Sequence, residues 1–358
     1  MGLNCDPRIT GGRLEVDKVR KMRLIWVDEL NAASPLGVLR AEPMAVGDFF
    51  VRSMFGAPDP GTTPWTVSVS GRVENPQSIS IDDLKALGET TQVVTIECAG
   101  NGRQLMDPLP EGVPWGLGAA SVGEFTGVPL RRVFDLVDPS DDVVEFVFTG
   151  ADRGTIDAGG ELNYAFSLHA DVALGDGPAL VWGLNGESLA VEHGGPLRLL
   201  VPGHYGMTSV KWLTEIAAID EPYDGYFKER YRFFDHPGMP DGSRVDRIWV
   251  RSLITTPDDG SEAGKDLKLT GVAWSGHGPI ASVAVKIDST EWFQAELGRQ
   301  ESEYGPVEWS SQATLMPGEH SIAARATDEA GNTQPMTPPW NQRGFANNAV
   351  HRIQVTIT

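Results

Sequence analysis

The chain has 358 residues, with 49 acidic against 29 basic side chains and a formal net charge of −20. That balance argues against nucleic acid or an anionic membrane surface as a general partner, and it leaves room for a basic one such as a small electron carrier. The length suggests two domains, and no apolar run approaches the roughly 18 residues of a membrane span.

The N-terminus, "MGLNCDPRITGGRLEVDKVRKMRLIW", lacks the apolar centre of a secretory signal. It predicts a cytoplasmic protein, or a periplasmic one if a leader has been removed. Two cysteines, Cys5 and Cys98, exclude a disulfide framework, and Cys5 is expected to lie in a loose tail. Forty-one glycines and 25 prolines predict many short elements joined by turns.

From about residue 40 to 245 strand and helix patterns mix. "WTVSVSGRV", "QVVTIE", "VVEFVFTG" and "ALVWGLNG" are β-branched and aromatic runs bounded by turn residues, and predict strands. "SIDDLKAL" predicts a helix with Ser80 as its N-cap, and "VPLRRVFDLV" another with Pro129 near its start. From about 246 to 358 the pattern changes. "KLTGVAWSG", "IASVAVKID", "EWFQAEL", "HSIAARATD" and "HRIQVTIT" are short alternating strands separated by segments such as "DDGSEAG" and "DEAGN". They predict an all-β sandwich of immunoglobulin-like type. The division is therefore an extension over 1–39, a mixed α+β domain over 40–245 and the sandwich over 246–358.

The stretch with most chemistry is "TIECAGNGR", Thr95 to Arg103. Cys98 ends a strand-like run and precedes a Gly-Asn-Gly turn. It is a buried thiol, a nucleophile served by His169, His193 or His204, or a lone soft ligand to a cofactor that brings its own other ligands. A zinc site is excluded, because no second cysteine stands at ligand spacing. The turn at Gly100–Gly102 would let backbone approach a bulky group.

At these residues the chain resembles the sulfite oxidase family of molybdenum enzymes, which also includes the core of eukaryotic assimilatory nitrate reductase. "TIECAGNGR" is similar to the family's cysteine motif. "FFVRS", "GVPWGLGAASVGEFTGVPL", "EHGGPLRLLVPGHYGMTSVKWL" and "WNQRGFANNAVHRIQV" resemble four further segments in the family's order, from about residue 40 to the end. The resemblance implies an α+β molybdopterin-binding domain followed by an immunoglobulin-like dimerisation domain. It implies one molybdenum-molybdopterin per chain, with Cys98 as the protein ligand to the metal. Phe50, Val51, Arg52, Ser53, Asp152, His193, Arg198, Ser209, Val210 and Lys211 fall at cofactor-contact positions. Arg52, Arg103 and Arg343 fall at anion-pocket positions, with Trp115 beside them and Tyr231 at the active-site tyrosine, Tyr226 being the fallback. Met54 departs from the family, since animal and plant members carry a histidine there.

The activity so implied is oxygen-atom transfer that oxidises sulfite to sulfate. No haem-binding pattern or flavin domain is visible, so electrons are expected to pass to a separate acceptor such as a cytochrome. A homodimer is expected, with neither nucleic acid nor membrane as partner. The competing readings are reduction of nitrate or an organic oxide on the same fold, and a non-catalytic binding protein on this scaffold.

Overall fold

The computed structural model describes residues 31–358 together with the two-residue strand Arg23–Leu24. The expectation for Cys5 lies outside the described residues. Among the described residues no helix is long and apolar enough to cross a membrane.

Two five-stranded sheets build the first half. One runs Glu187–Ser188, Ala179–Leu184, Ala120–Pro129, Thr90–Glu97, with Arg198–Leu200 also paired to Ala179–Leu184, all antiparallel. The other runs Gln77–Ser80, Thr66–Gly71, Leu213–Ile219, Glu145–Thr155, Glu161–His169, with one parallel pair between Thr66–Gly71 and Leu213–Ile219. Ala179–Leu184 is buried at every position, which is why it reads as a continuous apolar run rather than an alternating one.

Both expected helices form. Ile81–Ala86 starts at Ser80, whose hydroxyl accepts from the Asp83 N–H while the Asp83 carboxylate accepts from the Ser80 N–H, a reciprocal capping box. Leu130–Val137 follows Pro129 and buries Leu130, Val133, Phe134 and Val137, the spacing of one helical face. Phe134 stacks on Phe146 with ring centroids 4.2 Å apart, which joins this helix to the second sheet.

The C-terminal half is all β. One sheet runs Arg251–Thr256, Asp266–Trp274, Val307–Thr314, Glu296–Leu297; the other runs Ser261–Ala263, His351–Ile357, Gly318–Asp328, Ile280–Ile287, Phe293–Gln294. The inward faces of the two sheets enclose a core that includes Leu269, Val283, Trp309, Ile322 and Val355. "EWFQAEL", expected as one strand, divides: Phe293–Gln294 pairs in one sheet and Glu296–Leu297 in the other, so the chain crosses between sheets at Ala295. Strands over Ala120–Pro129, Glu161–His169, Arg251–Thr256 and Val307–Thr314 had no expectation of their own.

Residues 31–39 pack onto the first half. Ala32 and Val51 exchange backbone hydrogen bonds, and the Ser34 N–H donates to the Gly118 carbonyl. Ala33 packs with Trp115 and Ala119.

Candidate functional site

Cys98 follows the last residue of strand Thr90–Glu97, where its N–H still donates to the Ala119 carbonyl. The chain then turns: the Asn101 N–H donates to the Cys98 carbonyl, and Gly102 takes φ +82°, a left-handed conformation that glycine adopts without strain. Asn101 locks the turn from inside, donating to Glu97 at 3.0 Å and accepting from the Ala119 N–H at 3.1 Å. The C-terminal half grips the same loop. The Arg251 guanidinium meets Glu97 at 2.8 Å, the Trp274 indole N–H donates to Glu97 at 2.8 Å, and the Asn347 amide donates to the Gly102 carbonyl at 2.7 Å.

Cys98 stands where two cavities meet. The first is lined by Phe50, Arg52, Ser53, Cys98, Asp152, His193, Arg198, Ser209, Val210 and Lys211, which are all but one of the residues expected to contact a cofactor. Val51 is not in the lining, because its backbone is paired to Ala32 behind the wall. Phe49, Met54, Tyr164, Glu192, Met207 and Trp212 join the lining without having been foreseen there. The second cavity is lined by Arg52, Cys98, Arg103, Trp115, Tyr231 and Arg343, together with Met54, Glu111, Arg230 and Phe345. All six residues expected at the reacting side therefore share one cavity. Tyr226 lines neither cavity and accepts a hydrogen bond from Arg230 at 3.0 Å.

The first cavity holds cationic groups that have carbonyl and hydroxyl partners. Arg198 donates to the carbonyls of His193 at 2.7 Å and Ser209 at 2.9 Å, and burial pushes its guanidinium down to about 10. Lys211 donates to the Ser53 hydroxyl at 2.5 Å and the Glu192 carbonyl at 2.9 Å, with its Nζ 4.2 Å from the Trp212 ring centre. Burial, then the Arg198 charge, hold Lys211 well below the ordinary lysine range. Burial raises Asp152 to about 6 against the pull of Lys211, and lowers His193 to about 4, leaving that ring neutral at pH 7. Both cations meet only neutral hydrogen-bond acceptors, and an anion such as a phosphate entering the cavity would favour the charged forms that burial disfavours.

In the second cavity Arg103 is buried and donates to the carbonyls of Val113 at 2.6 Å and Arg343 at 2.9 Å. Glycine makes its bed: a Cβ at Gly100, Gly112 or Gly344 would lie within 3.0 Å of the Arg103 side chain. Burial lowers the Arg103 guanidinium from its usual value, and burial raises the Tyr231 phenol, keeping it protonated.

These residues fit a molybdopterin. Asp152 Oδ1 and Trp115 Nε1 are buried polar atoms without a partner among the described residues, an acceptor facing the first cavity and a donor at the second. Cys98 offers a single soft ligand, and among the described residues no group of three or more His, Cys, Asp and Glu side chains is placed to hold a metal.

A mixed domain with a lone cysteine between a cavity that bears Arg198 and Lys211 and a second cavity lined by arginines, followed by a β sandwich, defines a molybdopterin oxidoreductase. The oxidoreductase molybdopterin binding domain matches residues 55–227, and the Mo-co oxidoreductase dimerisation domain matches residues 244–358. The chain belongs to the sulfite oxidase family. It is 29% identical to mitochondrial sulfite oxidase of Drosophila melanogaster over 364 residues, covering 91% of this chain and 62% of the relative. It is 30% identical to the NADH nitrate reductase of Lotus japonicus, covering 86% of this chain and 38% of the relative. The chain thus spans less than two thirds of the length of these curated relatives. In fold it is similar to the sulfane dehydrogenase SoxCD of Paracoccus pantotrophus, with a TM-score of 0.82, 24% identity, and coverage of 99% of this chain and 93% of that one.

Proposed function

We propose that the protein is a molybdenum-cofactor oxidoreductase that oxidises sulfite to sulfate by oxygen-atom transfer and passes the electrons to a separate acceptor. The observation that carries this reading is the position of Cys98 at the junction of the two cavities, one suited to a cofactor and the other lined by arginines.

In this reading the thiolate of Cys98 is the protein's ligand to the metal. The bound cofactor supplies a centre able to transfer one oxygen atom and accept two electrons. Arg198 and Lys211 take the anionic end of the cofactor, and Asp152 accepts from its ring N–H groups. Arg52, Arg103 and Arg343 create a local positive potential that draws a small oxyanion into an otherwise acidic protein. Trp115 and the protonated Tyr231 donate hydrogen bonds to the anion's oxygens, which orients its sulfur lone pair towards the metal side. His193, neutral near pH 7, adds no charge that would compete with Arg198.

We assign the cofactor site to residues 40–245, dimerisation to 246–358, and an extension to 1–39. Arg343 and Asn347 bring the second domain back to the site, so that domain also completes the pocket. The test is a steady-state assay of the molybdenum-loaded protein with sulfite against an artificial one-electron acceptor, and with nitrate against a reduced dye. Turnover of sulfite alone is expected. Nitrate reduction without sulfite oxidation would assign the fold to the opposite direction of transfer.

A further inference from the structure

Three of the arginines in the second cavity are already accounted for as the pocket for a small oxyanion. The fourth, Arg230, is not. It ends the short helix Tyr226–Arg230, directly before Tyr231, and both residues line the cavity. Four guanidinium groups there face one lining carboxylate, Glu111. Of the three positive charges that remain after Glu111, a single compact dianion offsets two.

Arg230 reaches solvent at the mouth of the cavity. Its side chain is 30% exposed and its ion-pair partner Asp157 is 82% exposed, so the pair sits at the rim. Only Nη1 is engaged, donating to Asp157 at 2.8 Å and to the Tyr226 hydroxyl at 3.0 Å; among the described residues Nη2 and Nε make no further hydrogen bond. An exposed pair of this kind opens at little cost, and the unused edge of the guanidinium presents two parallel N–H groups suited to an oxyanion. Arg343 is near enough to the same rim to act on Asp157, whose carboxyl is held below its ordinary value first by the Arg230 hydrogen bond and charge and, more weakly, by Arg343.

We propose that Arg230 forms an outer anion subsite that takes a second negatively charged group, so that the cavity prefers anions charged at both ends over anions charged at one. This deepens the reading of the cavity as a site for an anionic substrate, on which it rests. The substrate class it selects is an extended sulfur oxyanion or sulfonate carrying two separated charges. Asp157 then acts as a placeholder that the outer group displaces.

Inert probes separate the subsite from turnover. The binding of ethane-1,2-disulfonate and of methanesulfonate to the molybdenum-loaded full chain is measured by calorimetry, in the wild type, Arg230→Gln, Arg230→Lys and Asp157→Asn. The disulfonate is expected to bind roughly tenfold tighter than the monosulfonate in the wild type. That advantage should shrink to about twofold in Arg230→Gln, recover in part in Arg230→Lys, and grow in Asp157→Asn. Methanesulfonate affinity should hardly change in Arg230→Gln, which a general loss of folding would not reproduce. Equal affinities in the wild type, or an advantage that survives in Arg230→Gln, would overturn the subsite while leaving the anion cavity intact. A disulfonate advantage in a protein that fails to oxidise sulfite would keep the subsite and remove the assigned reaction instead.

Discussion

Glu97 and Arg251 meet at 2.8 Å in a pair that leaves 0% and 1% of the two side chains exposed. Glu97 is the residue before Cys98, and Arg251 opens the first strand of the C-terminal sandwich. The position of the ligand loop is therefore set from the other half of the chain. A charge pair so buried is costly to form, but removing one partner strands the other without water.

Arg251→Met is expected to destabilise the protein by about 3–5 kcal/mol, because it leaves the Glu97 carboxylate with Trp274 and Asn101 as its remaining partners. The double variant Glu97→Gln, Arg251→Met should recover part of that loss, since no lone charge is left buried. Urea denaturation of the cofactor-free protein checks the energies, and the rate of Cys98 alkylation checks the loop. A loss below about 1 kcal/mol with an unchanged alkylation rate would show that the second domain does not hold the loop.

Much of this fold was visible in the residues and some was not. Val93, Val94 and Ile96 stand in an apolar run with clear strand character, and Ser80 with Asp83 announces its helix start. Glu161–His169 carries a strand signal of its own, since Glu161, Asn163, Ser167 and His169 alternate with Leu162, Tyr164, Phe166 and Leu168, yet no expectation was placed on it. At the site, Cys98 and Arg103 were legible because a motif marks them. Tyr164 was not, since it sits on that unread strand, where its hydroxyl donates to the Met207 carbonyl at 2.8 Å. Arg230 stands in the charged run "KERYR", which has the look of a solvated face; only the end of a short helix turns it towards the cavity. The Trp274–Glu97 bond joins residues 177 apart in sequence, and no local pattern reports a contact of that kind.

Asp152 gives a pH signature. Its carboxyl is raised by burial from 3.8 to about 6, so ionising it costs the folded state on the order of 3 kcal/mol. The folded protein binds the extra proton, so this group's contribution to stability falls as pH rises from about 4 to about 6. His193 and His351, each lowered to about 4 by burial, act in the opposite direction over about 4 to 6.5. A single variant isolates the carboxyl. In cofactor-free protein, Asp152→Asn should match the wild type near pH 4 and exceed it in stability above pH 6. A constant difference between the two across that range would show that Asp152 does not titrate as described.

Arg103→Gln should lower kcat/KM for sulfite by about ten- to a hundredfold, the effect of losing one charge-assisted contact worth roughly 1.5–3 kcal/mol. Its two hydrogen bonds go to the Val113 and Arg343 carbonyls, and Glu97 is engaged elsewhere, so the guanidinium is not neutralised by an acid at its own position. Higher ionic strength should weaken sulfite capture more in the wild type than in the variant. KM per bound molybdenum is the deciding quantity, and an unchanged value would remove Arg103 from the substrate contacts.

The dimerisation domain match over 244–358 predicts a homodimer. Light scattering at micromolar concentration should give twice the chain mass, and a monomer there would contradict the assignment of 246–358 as the assembly surface.

The most direct test of the central claim is molybdenum analysis joined to an anaerobic sulfite titration, on the wild type and on Cys98→Ser. A hydroxyl is a hard, weakly acidic ligand and cannot stand in for the electron donation of a thiolate. The wild type should carry about one molybdenum per chain and lose its visible absorbance on titration with one equivalent of sulfite, while the serine variant, folded as judged by circular dichroism, shows no bleaching. Full molybdenum content with sulfite bleaching at the wild-type level in Cys98→Ser would contradict the account, because the residue at the junction of the two cavities would then not be the metal's ligand.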